Sequence, residues 1–155
     1  LEIYPEHPDS YYVLGIMYRK VPGRPISFGS SNRAVSLGRK AIDAHLVEFE
    51  AGEVNDIKLS YYMELARSIE SRNWSASKRR KEKAGKAKDY RSETDTLEKN
   101  FEYEGVVDIP DMSDKDEAIE IMRWVISEFG KKSSLKNSEQ VDLDEAREDL
   151  ETWSN

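Results

Sequence analysis

The stretch SYYVLGIMYRK, residues 10–20, followed by VPGRPISFG at 21–29 and by the small-residue positions Ala34 and Ala41, decides the reading of this chain. Tyr11, Leu14, Gly15 and Tyr18 recur at steps of three and four, so they share one face of a helix. Asp9 offers an N-cap oxygen ahead of Ser10, and Val21-Pro22-Gly23-Arg24-Pro25 must end the helix, because proline brings no amide and glycine tolerates left-handed geometry. Ser30, Ser31 and Asn32 offer caps for a second helix over 33–50, with Ala34, Val35, Leu37, Ala41, Ile42 and Leu46 as its apolar stripe.

The same periodicity continues outward. It predicts a third helix over 57–71 on Leu59, Tyr62, Leu65, Ala66 and Ile69, and a fourth from near Trp74 that carries the basic run Lys78-Arg79-Arg80-Lys81 and ends somewhere between 88 and 103. Ser113 and Asp116 resemble a capping box for a fifth helix, 115–129, closed by Gly130. After a polar linker, 131–139, a sixth over 142–153 turns Leu143, Ala146, Leu150 and Trp153 to one side. Period-two alternation occurs only in the brief 101–107 stretch, too short to anchor a sheet. The expectation is an all-α single domain, 1–155, of about six helices in stacked antiparallel hairpins: a first hairpin 8–50, a second 57–90, and a C-terminal pair 113–153.

The first hairpin resembles the tetratricopeptide repeat. Tyr11, Leu14, Gly15 and Tyr18 match its first-helix pattern, and Ala34 and Ala41 repeat the seven-residue spacing of its partner alanines. Gly15 and Ala41 are expected to face each other at the closest helix contact. Gly38 departs from the pattern, standing where a bulky residue is usual. The 22–29 connector is too long and the closing proline is missing. Tyr62, Leu65, Ala66 and Ile69, with Ser77 and Ala84, make a poorer second copy in which Lys81 takes the bulky position. That connector also resembles the hairpin loop in the T component of TRAP transporters over about the first fifty residues.

The resemblance to tetratricopeptide domains implies a non-catalytic interaction module in which the first helix of each hairpin lines a concave groove for a peptide or partner helix. The expected groove residues are Tyr12, Ile16 and Arg19 from one repeat and Met63, Arg67 and Glu70 from the next. Tyr12 and Ile16 stand where carboxylate-clamping members place Lys and Asn, so a mainly apolar ligand is implied. The TRAP resemblance implies instead a periplasmic accessory protein of solute uptake that encloses a small apolar ligand.

Composition narrows the remaining classes. The 155 residues suffice for one helical core, and three Trp, eight Tyr and four Phe supply bulky material for it. Without cysteine there is no disulfide, thiolate metal site or cysteine nucleophile. His7 and His45, the two histidines, lack a spaced partner for metal binding or general-base work, and the carboxylates of 142–151 lack the Gly-bearing turn of a calcium loop. Gly23 and Gly29 stand in no phosphate-binding motif. No catalytic residue, metal or cofactor is expected. A chain starting at Leu1 reads as a trimmed fragment, which leaves cytoplasm and periplasm both open and allows membrane attachment only through a missing N-terminal anchor. Self-association stays open.

Charge is uneven within a net −7. Residues 76–91 hold eight basic and two acidic side chains, whereas 92–155 hold seven basic and nineteen acidic ones. The two stretches are expected to attract each other. Nucleic-acid binding by the basic run is disfavoured, since stacking aromatics are lacking there apart from Trp74 and the whole chain is acidic.

Overall fold

The computed structural model describes residues 7–155, so the first six positions of the expected 1–155 domain lie outside the described residues. Among the described residues there are seven α-helices and no β-strand. They are α1 (Pro8–Lys20), α2 (Ser31–Glu50), α3 (Leu59–Arg72), α4 (Ala76–Ser92), α5 (Thr96–Asn100), α6 (Asp114–Gly130) and α7 (Asn137–Ser154), with a 3-10 turn at Tyr103–Val106. None is long and apolar enough to cross a membrane.

The caps explain the boundaries. Ser30, Ser75, Asp95 and Ser113 each accept a backbone N–H from the first turn of the helix they start. Asp9 does not cap α1. Pro8 occupies the first turn without needing a donor partner, and the Asp9 carboxylate is drawn to α3, where it accepts from the Tyr61 hydroxyl and, at 2.9 Å, from Lys58 Nζ. The last helix starts at Asn137 rather than 142, because Glu139 reaches back to the Lys136 amide at 2.9 Å and holds an earlier first turn. Residues 101–107 form the 3-10 turn and its flanks, not a strand.

α1 and α2 form the expected antiparallel hairpin. The connector closes on itself through Gly29 N–H to Pro22 O at 2.9 Å and Ser30 N–H to Tyr18 O at 2.8 Å. A Cβ on Gly29 would lie 1.9 Å from the Val21 carbonyl oxygen, so only glycine fits there. Gly15 faces Ala34, Leu37 and Gly38 of α2, not Ala41. Gly38 is vacant of bulk for a reason visible only in three dimensions: Leu65 of α3 packs over it, 3.2 Å from where its Cβ would stand.

The 57–90 pairing is replaced by another. α3 packs between α2 and α6 while α4 lies against the 3-10 turn, and α7 packs on α6. The apolar stripe of α6, on Ala118, Met122, Val125 and Phe129, buries more hydrocarbon against α3 than the charged α4 has to offer. One core therefore joins Tyr11, Leu37, Met63, Ile69, Met122, Phe129 and Trp153. α4 sits so close to the 3-10 turn that a Cβ on Gly105 would come within 2.3 Å of the Ala87 backbone nitrogen.

These two contacts give opposite expectations for alanine. Gly15→Ala meets only ordinary van der Waals neighbours in mid-helix and should leave stability unchanged or raise it by up to about 1 kcal/mol. Gly105→Ala must push two backbones apart and should cost roughly 1–3 kcal/mol. Urea melts of both variants check the pair, and equal effects would contradict these packings.

Candidate functional site

The interior holds a second, ionic layer. Arg39 of α2 donates to Glu104 at 2.7 Å and grips Glu117 of α6 through two bonds of 2.9 Å. Arg72 of α3 donates to Glu104 at 2.6 Å and to both oxygens of Asp114, at 2.8 and 2.7 Å. Arg79 of α4 reaches Glu117 at 2.5 Å and the Met112 carbonyl at 2.8 Å, and Lys86 lies 3.4 Å from Glu104. These seven side chains are between 0 and 9% exposed.

Local sequence puts each of them there. Asp114 and Glu117 sit in the first turn of α6, where exposed amides favour negative charge, and Asp114 also accepts the Trp74 amide at 2.7 Å. Glu104 is carried by the 3-10 turn, whose Glu104 amide donates to Ser36 Oγ at 3.1 Å. The basic run is thereby partly spent inside the protein. Arg79 and Lys86 point inward, Lys83 donates to the Val107 carbonyl, and Arg80 pairs with Asp111. The attraction expected between the basic and acidic stretches is realised here.

Four cations face three carboxylates. The surrounding guanidinium and ammonium groups hold the Glu104 carboxyl far below its ordinary value, against burial that would raise it. Burial pushes the Lys86 ammonium below its ordinary value. Arg72 makes the short bonds to both Glu104 and Asp114, and without it Asp114 keeps only the Trp74 amide and Arg79 at 3.4 Å, so Arg72→Met should cost about 3–5 kcal/mol. Lys86 makes one long contact, 3.4 Å from Glu104, so Lys86→Met should change stability by less than about 1 kcal/mol. Because the folded Glu104 value lies below the usual 4.5, its contribution is complete above that pH and lost as pH falls below it. Melts from pH 7 to 3 should show that loss, and Glu104→Gln should flatten the curve.

The residues expected to line a groove do not form one stripe. Met63 is 1% exposed and belongs to the core, because α3 is flanked on both sides and has no free face at that angle. Tyr12 stacks on Tyr61, ring centroids 4.5 Å apart at 18°, and Ile16 is half-buried. Arg19 donates to Glu64 at 2.7 Å, and Arg67 bonds Glu64, Asp149 and Glu145 at 2.8, 2.7 and 3.0 Å. Arg19, Arg67 and Glu70 meet the acidic side of α7 around a polar cleft of about 590 Å³.

The opposite side of α3 carries a different surface. α2 and α6 flank it, and two hollows of about 250 and 270 Å³ lie along them. The first is bounded by Ile42, Asp43, Tyr62, Leu65, Asp108 and Ile121, with the paired Arg39 and Glu117 at its end. The second is bounded by Phe49, Ile57, Leu59 and Trp124, with Lys131 and Lys132 at its rim. Tyr62 and Trp124 pack together between the two, centroids 4.7 Å apart. Phe49 and Trp124 remain 37% exposed. The sequence contained a signal for Trp124: it stands two positions from Met122 and so on the other side of α6 from the buried stripe.

Comparison of the chain with family models, with curated proteins and with solved structures gives no match.

Proposed function

We propose that the protein is a non-catalytic interaction module, related in plan to tetratricopeptide hairpins, that receives an amphipathic partner helix in the groove between α2 and α6. The observation that carries this reading is the pair of half-exposed aromatic side chains, Phe49 and Trp124, set beside hollows floored by α3. Helix-in-groove recognition uses apolar anchors at successive turns, and aromatic side chains that stand ready in place supply much of the binding energy of such interfaces.

A groove of this kind accounts for the placement of charge. The α1, α3 and α7 side is filled by Arg19, Arg67 and their carboxylate partners, which leaves little apolar area for a ligand. The α2, α3 and α6 side has its ion pairs at the ends and hydrocarbon between them. Enclosure of a small apolar ligand, as in the solute-uptake reading, is supported less, because each hollow is open and smaller than the roughly 300–1,000 Å³ of usual small-molecule sites.

The test is selection from a displayed library of amphipathic helical peptides. Selected peptides should shift methyl resonances of Ile42, Leu65 and Ile121, and the double change Phe49→Ser, Trp124→Ser should weaken them at least tenfold in a variant that still melts cooperatively above the assay temperature. Peptides that bind as tightly to this double variant, or that report only on Arg19 and Arg67, would overturn the reading.

A further inference from the structure

The two hollows of the groove differ in charge, and that difference specifies the occupant. This inference rests on the groove reading above. The first hollow combines an aliphatic and aromatic wall, formed by Ile42, Leu65, Ile121 and Tyr62, with the carboxylates of Asp43 and Asp108. Asp43 accepts the Tyr103 hydroxyl at 2.8 Å and meets no cation among the described residues; Asp108 is exposed and meets none either. Arg39, the one cation on the hollow, is bound on one side by Glu104 and on the other by Glu117. The lining of the hollow thus sets three carboxylates, Asp43, Asp108 and Glu117, against this one cation. The hollow therefore presents hydrocarbon with an uncompensated negative side, which matches a long side chain that has an apolar stem and a cationic tip.

The second hollow is balanced in charge, since its lining sets Asp56 and Glu128 against Lys131 and Lys132. Phe49, Ile57, Leu59 and Trp124 give it an apolar lining, and its rim lysines are engaged, Lys131 with Glu128 at 2.5 Å and Lys132 with Glu139. A bulky uncharged side chain suits it.

Spacing follows from the helices that flank the groove. Ile42 and Phe49 on α2 are seven residues apart, as are Ile121 and Glu128 on α6, so both helices place the hollows about 10 Å apart along their axes at 1.5 Å per residue. On a docked helix the same distance separates positions i and i+7, which lie on one face. We propose that the partner helix inserts an arginine or lysine into the hollow of Asp43 and Asp108 and, seven positions away, a large apolar residue into the hollow of Phe49 and Trp124.

The full chain can be probed without knowing the partner. In methyl NMR titrations, n-butylguanidinium should shift Ile42, Leu65 and Ile121 at millimolar concentration, and pentanoate, of similar length but opposite charge, should bind there roughly fivefold more weakly or not at all. The double change Asp43→Asn, Asp108→Asn should abolish that preference without lowering the melting temperature, since asparagine still offers Tyr103 an acceptor. Equal response to the two probes would overturn the cation assignment while leaving a groove for helices intact. Silence of these methyls toward both would overturn it as well. If library-selected helices occupy the groove yet lack a basic residue seven positions from their apolar anchor, the anchor rule fails alone; if no helix occupies it, the functional reading fails with it.

Discussion

The buried carboxylate of Glu104 is the constraint on which the rest of the structure depends. It is held by Arg39 from α2, Arg72 from α3 and Lys86 from α4, and α4 has no extensive packing against the other two helices. A buried ion pair rarely exceeds well-packed hydrocarbon as a source of stability, because desolvation opposes the Coulombic gain. Its effect here is on arrangement. α4 has too little apolar surface to dock by hydrophobic burial, with only Ala87 among its nonpolar residues buried. Directional, charge-assisted bonds give that helix and the 3-10 turn one position against the stack.

The network also shapes the surface proposed to bind a partner. Arg39 and Glu117 bridge α2 and α6 across α3, which closes one end of the groove, and the turn that bears Glu104 delivers Val107 and Asp108 to the first hollow. At the far end Phe49 and Trp124 stay half-exposed. The same α3 serves two environments. Its Glu64 and Arg67 meet α1 and α7 through ion pairs, while Tyr62 and Leu65 face the groove. Binding and architecture are linked through a helix whose opposite faces have opposite polarity.

The sequence carried the helices and the first hairpin. Tyr11, Leu14 and Ala34 could be read because helical periodicity is local and repeats every turn. Gly38 could not be interpreted, since its use as a seat for Leu65 depends on a helix twenty-seven positions away. The same limit explains the second hairpin: chain order suggested α4 as the neighbour of α3, yet the apolar stripe of α6 won that place. The attraction of the basic stretch to the acidic one was legible as net charge, but the partners of Arg79 and Lys86 were not, because they lie eighteen to thirty-eight positions off. Met63 was expected on an open face and is buried, because three- and four-residue spacing identifies a face without saying what covers it.

Amide hydrogen exchange, followed residue by residue in the unaltered protein and in Glu104→Gln, reads out whether the buried ionic layer positions α4 and the turn. Exchange in Glu104→Gln should be faster through α4, the 3-10 turn and the first turn of α6, including the residue-104 amide that is bonded to Ser36, while α1 and the centre of α2 keep their protection. Unchanged exchange across 76–114, or a uniform loss of protection over the whole chain, would contradict the view that this buried ionic layer fixes α4 and the turn onto an otherwise self-sufficient helical stack.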